Sequence, residues 1–151
     1  ADLRLGAAIN YLLRFESTDS LTEGILITEG GDDAGTANRL GLPRWKGNFY
    51  AEYSRGRHNL RATLNYTHGL IDDRAAVFPP GTTNLFGHVG DPWVPVDVVY
   101  RAELPMQTSL TLGVMNVFDR DPPGFRQDFG YNTYTANPLG RVYKIGLRKQ
   151  F

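Results

Sequence analysis

The stretch Leu3-Arg4-Leu5-Gly6-Ala7-Ala8-Ile9-Asn10-Tyr11-Leu12-Leu13-Arg14-Phe15 decides the fold. Taken as extended chain, it puts Leu3, Leu5, Ala7, Ile9, Tyr11, Leu13 and Phe15 on one face. Arg4, Gly6, Ala8, Asn10, Leu12 and Arg14 fall on the other. Alternation of this kind marks a strand with one apolar side. Soluble strands commonly run about 5–6 residues, whereas a tilted strand crossing a bilayer needs about 9–11. The stretch is long enough for the second role.

The pattern recurs five times toward the C-terminal side. Phe49, Ala51 and Tyr53 alternate with polar neighbours between Asn48 and Ser54, and Leu60, Ala62, Leu64 and Tyr66 do so between His58 and Thr67. Val94, Val96, Val98, Tyr100, Ala102 and Leu104 follow between Val94 and Leu104. Leu110, Leu112 and Val114 share a face with Asn116 between Ser109 and Val117. Finally, Tyr143, Ile145, Leu147 and Phe151 share a face with Lys149, opposite Val142, Lys144, Gly146, Arg148 and Gln150.

The connections come in two kinds. Ser54-Arg55-Gly56-Arg57 and Pro105-Met106-Gln107-Thr108 are tight turns by composition. Long segments rich in Gly, Asp, Asn and Pro separate Glu16 from Pro43, Gly69 from Trp93 and Phe118 from Gly140. Long and short alternate strictly, the layout of a barrel with short periplasmic turns and long extracellular loops. The expected fold is therefore all-β: an antiparallel transmembrane β-barrel fragment of about six long strands. A soluble β-sandwich would also alternate, but compact domains usually have short connections.

Composition is compatible with either. Sixteen basic and 16 acidic residues cancel, which is unlike the basic footprint of a nucleic-acid binder. There is no Cys, so neither a disulfide framework nor a thiolate metal site is available. No apolar run approaches the roughly 18 residues of a membrane helix, but alternating barrel strands escape that measure.

Three motifs add a resemblance. Thr111-Leu112-Gly113-Val114-Met115-Asn116-Val117-Phe118-Asp119-Arg120-Asp121-Pro122-Pro123 resembles the N-L-F-D-x-x-P-P signature near the end of TonB-dependent outer-membrane receptors. Ala136-Asn137-Pro138-Leu139-Gly140-Arg141-Val142-Tyr143 is similar to that family's lead-in to its last strand. The chain ends in Phe151, an aromatic terminus typical of outer-membrane proteins, and Pro43-Arg44-Trp45-Lys46-Gly47-Asn48 resembles a recurring strand start. One departure is Lys149, where the family often has an aromatic or apolar residue. At the rim its stem can snorkel toward headgroups.

The resemblance implies residues 1–151 are the C-terminal part of a receptor barrel, with plug domain and earlier strands absent. It implies a location in the outer membrane of a Gram-negative bacterium. Its implied activity is import of a scarce solute, foremost a ferric siderophore, with energy transmitted through the TonB complex via the plug. Outer-membrane lipid and the barrel-assembly machinery, through Phe151, are its implied further partners. No cofactor and no catalysis are implied. Six strands fall short of the smallest membrane barrels, of about eight, and an open sheet in lipid would leave edge amides unpaired.

The residues themselves carry roles consistent with this. Asn116 and Asp119 can cap backbone amides where a strand ends, Pro122 and Pro123 cannot donate to a ladder, and Phe118 completes the signature. Trp45, Trp93, Tyr53, Tyr100 and Tyr143 suit interface girdles. Arg4, Arg14, Glu52, Arg61, Asp97, Arg101, Glu103, Lys144 and Arg148 form a mixed-charge face for the lumen. In the last long loop Arg126, Phe129, Tyr131 and Tyr134 are the substrate-contact candidates, because an Arg can pair with oxygens of an iron chelate.

Catalytic and metal chemistry find little. His58, His68 and His88 share no ligand spacing. His68 with Asp72 and Asp73 could meet a cation in one loop, though a solvated loop is the expectation, and the pair Asp32-Asp33 and Asp119 with Asp121 lack the EF-hand pattern for calcium. No G-x-S-x-G elbow or phosphate loop occurs. A passive porin-like or adhesive barrel is the alternative function, and a soluble β-sandwich binding module stands behind it. The plug and TonB-contacting sequence would discriminate it from an importer.

Overall fold

A computed structural model describes residues 1–15, 42–71, 89–124, 130–133 and 135–150. Among them lie six strands and no helix: β1 (Asp2–Tyr11), β2 (Trp45–Arg55), β3 (His58–Thr67), β4 (Val96–Leu104), β5 (Thr108–Met115) and β6 (Val142–Lys149). They form one antiparallel sheet in chain order, with β1 and β6 at its edges. The sheet is not closed.

The two short connections are built differently. Gly56 and Arg57 join β2 to β3, and Gly56 takes φ 58° while Arg57 keeps a negative φ. A glycine at the first central position is what a type II′ hairpin turn requires. Pro105, Met106 and Gln107 join β4 to β5, with Met106 at φ 59° and Gln107 at φ 54°. Side chains in this left-handed region cost about 1–2 kcal/mol per residue. Both short connections lie at one end of the sheet, and all three longer chain segments leave from the other.

The β3–β4 pairing continues past both strands in the same register. Asn65 N donates to Pro95 O at 3.0 Å, Thr67 and Trp93 exchange two bonds of 2.9 Å, and Ile71 bridges Val89. Leu70 and Trp93 are buried in this ribbon, and with Ala102 they are the buried apolar residues among those described. Gly69 passes so close to Gly90 O that a Cβ there would collide with it.

The strands slide past one another. One row runs Leu5, Ala51, Ala62, Val98, Val114, Tyr143. From it β1 continues three residues toward the turn end and six toward the loop end, whereas β6 continues six and one. At ~3.4 Å per residue and ~4.8 Å per strand, that slide of about four residues across the sheet is an inclination of about 30°.

Strand limits differ from the sequence expectation where the ladder has a local reason to start or stop. β1 ends at Tyr11 rather than Phe15, with one further bond from Leu12 N to Arg44 O before Pro43. β2 begins at Trp45, three residues ahead of Asn48. β5 ends at Met115 rather than Val117 because a bulge follows. Val98 pairs with Val114, yet Val117 N bonds to Val96 O at 2.8 Å, so the β5 side carries one extra residue. That residue is Asn116 at φ 51°, in the place a bulge usually gives to Gly.

Candidate functional site

The register puts every strand's apolar set on the same side. One row joins Leu3, Tyr53, Leu60, Tyr100, Leu112 and Ile145. Most of the large side chains on this side are exposed, with Leu5 at 74%, Ile145 at 80% and Leu147 at 71%, while Ala102 is buried among its neighbours. From Leu3 to Tyr11 the band measures about 27 Å along the strand at ~3.4 Å per residue. Aromatics mark both ends. The rings of Tyr11 and Trp45 meet at 4.4 Å between centroids, tilted by 44°, on the loop side, with Tyr66 near them. On the turn side Tyr53 and Tyr100 sit next to the row's Leu60, and Tyr100 Oη shares a 2.6 Å hydrogen bond with His58 Nδ1.

The opposite face is polar and charged. Arg4, Glu52, Arg61, Val99, Gly113 and Lys144 share one row, and Asp97, Arg101, Glu103 and Arg148 fall on the same side. Arg14 lies beyond β1. Arg61 approaches Glu52 at 3.6 Å and lies 3.9 Å over the Tyr50 ring. Asn59 donates to Glu52 Oε1 at 2.9 Å and to Ser54 Oγ at 2.8 Å. On its other side the Tyr50 ring covers Gly6 so closely that a Cβ at Gly6 would collide with it. Sequence reading missed this packing, because Gly6 and Tyr50 face each other only once the register is known.

The signature residues form a corner at the loop end. Asn116 is buried, its Nδ2 donates to Arg120 O at 2.9 Å, and its Oδ1 accepts Arg120 N at 3.1 Å. Its own N donates to Asp97 Oδ1 at 2.8 Å, while Asp97 Oδ2 accepts Asn65 Nδ2 at 2.9 Å. Asp119 also takes a left-handed φ of 53°, and its Oδ1 accepts Arg141 N at 2.7 Å. Gly140, at φ 62°, leaves room for that carboxylate; a Cβ would meet Asp119 Oδ1 at 2.7 Å. Arg141 is held still more firmly charged, chiefly by its side-chain hydrogen bond with Tyr143. The corner therefore ties the end of β5 to the start of β6. Phe118 is exposed, and Pro122 and Pro123 are half-buried. A cleft of about 220 Å³ opens beside the corner, between Trp93, Asp97, Asn116, Leu139 and Lys144.

The remaining candidates divide. Tyr131 is half-buried and bridges Gly124. Arg126, Phe129, Tyr134 and Phe151 lie outside the described residues, as do Asp32, Asp33, Asp72, Asp73 and His88. Among the described residues no group of three or more His, Asp or Glu could hold a metal ion. No helix there is long and apolar enough to cross a membrane, which has no bearing on crossing by strands.

No family model, no curated protein and no solved structure matches the chain.

Proposed function

We propose that this chain is a wall segment of a larger outer-membrane β-barrel that imports a scarce solute. The observation that carries the membrane part is the exposed apolar face, in phase across all six strands. In water such a face would be a large aggregation-prone patch; in a bilayer it is at home. Inclined by about 30°, the band stands about 24 Å tall, close to the apolar belt of about 25 Å in membrane barrels. The inclination of about 30° is somewhat below the ~35–45° usual for barrel strands. Edge strands β1 and β6 each have a partner on one side only among the described residues. Further strands must close the barrel, since unpaired edge amides in lipid cost several kcal/mol each.

On this reading the turns face the periplasm, the longer segments face outside, and the charged face lines the interior. The import function rests on the resemblance around Asn116–Pro123. The solute, foremost a ferric siderophore, would meet Arg126, Phe129, Tyr131 and Tyr134. Plug displacement driven by the TonB complex would then admit it, with no covalent chemistry by the barrel. Uptake of iron chelates by cells carrying the complete protein tests this. Accumulation should vanish when the TonB complex is removed. Accumulation that survives its removal would point to a passive barrel instead.

A further inference from the structure

The cleft beside the corner opens on the charged face of the sheet, at its loop end. Trp93 continues the parity of Asp97 on the β4 side, and Met115, Val142 and Lys144 fall on the same face from β5 and β6. The walls are largely apolar: Trp93 is buried, Met115 and Val142 are half-buried, and Leu139 is exposed beside them. At about 220 Å³ the cleft is larger than the ~150 Å³ cavity that takes up benzene.

Three of its four polar side chains are already engaged. Asp97 accepts from Asn116 N through Oδ1 and from Asn65 Nδ2 through Oδ2. Asn116 commits both ends of its amide to Arg120, and Asn137 Oδ1 accepts Leu139 N at 3.0 Å. Lys144 is exposed and makes no ion pair or hydrogen bond among the described residues. The side-chain polar atoms left unengaged in the lining are thus Lys144 Nζ and Asn137 Nδ2, both donors. Below the cleft Arg101 and Arg148 stand one and two rows nearer the turns, also without ion pairs among the described residues, and Glu103 shares the last row.

We propose that this cleft binds an arylcarboxylate group of the imported solute, with the ring against Trp93 and Leu139 and the carboxylate on Lys144 and Asn137 Nδ2. The inference rests on the import reading above and names the class of solute: an acid with an apolar ring. A neutral ring would fill the walls and leave the ammonium unanswered, and a bare anion would leave the walls unfilled. Asp97 bounds the far wall on β4, two strands and two residues from Lys144, or about 12 Å between backbones. Its charge therefore directs the carboxylate to the β6 side.

The test uses the complete protein in detergent, with para-fluorobenzoate and its neutral counterpart para-fluorobenzamide followed by fluorine NMR. Dissociation constants should favour the acid by about fivefold, the scale of an exposed ion pair. K144Q should bring the two constants together and K144R should keep the preference. R4Q, on β1, should leave it unchanged. No binding of either probe, equal affinity for both, or a preference that survives K144Q would each overturn the site. Uptake that needs the TonB complex without this preference sinks the present inference alone. A Lys144-dependent preference with uptake indifferent to the TonB complex upholds the cleft and removes the import reading.

Discussion

Replacing Asn116 separates two contributions that its geometry combines. The side chain makes two hydrogen bonds to the backbone of Arg120, at 2.9 and 3.1 Å, and the residue sits at φ 51°. Alanine removes both bonds, at about 1 kcal/mol each. It also leaves a Cβ in the left-handed region without the local polar bonding that lets asparagine adopt it, at about 1 kcal/mol. Glycine removes the same bonds but tolerates the backbone. Asn116→Ala should therefore lose about 3 kcal/mol and Asn116→Gly about 2. Urea titration of the complete protein in detergent reads both, with the midpoint shifting and the slope unchanged. Tryptophan fluorescence is a suitable probe because Trp93 lines the same cleft as Asn116. Equal losses for alanine and glycine would refute the role given to the left-handed bulge. No loss for either would refute the corner altogether.

Three further outcomes are expected. Ala7 and Ala8 are neighbours on opposite faces, so Ala7→Arg should destabilise the inserted protein by about 2–4 kcal/mol and Ala8→Arg by about 0–1, measured by the same titration. Gly140→Ala should cost about 2 kcal/mol more than Gly146→Ala, because only the former combines a left-handed φ with a contact on Asp119. Similar losses at both would show that the carboxylate is not confined there. Gly6→Val and Tyr50→Ala should each destabilise, yet the double variant should lose about 1 kcal/mol less than their sum, since removing the ring makes room for the valine. Strict additivity would deny the contact.

The fold was legible because a strand's faces follow from parity alone. His58–Thr67 was bounded correctly from its alternation, and every residue expected on the charged face within a strand lies there. Legibility failed where side chains stop reporting the period. Gly47 has no side chain to show its face, so alternation alone starts β2 at Asn48, and only the resemblance of Pro43–Asn48 to a strand start reaches back to Trp45. The ribbon beyond Thr67, through Ile71, carries no strand signal in the sequence, because His68, Gly69 and Leu70 do not alternate. At the corner, Asn116 and Asp119 were legible as residues that bond backbone amides. Their ties to Asp97 and Arg141 were not, since those residues stand 19 and 22 positions away in the chain.

Lipid accessibility along β1 tests the central claim most directly. The chain has no Cys, so single cysteines can be placed without background. Each of positions 3 to 10 would carry a fluorophore in the complete protein in bilayers, with a quencher dissolved in the acyl region. Quenching should alternate, strong at Leu3, Leu5, Ala7 and Ile9 and weak at Arg4, Gly6, Ala8 and Asn10. Quenching that is uniform along the strand, or absent at all eight positions, would contradict a lipid-facing sheet.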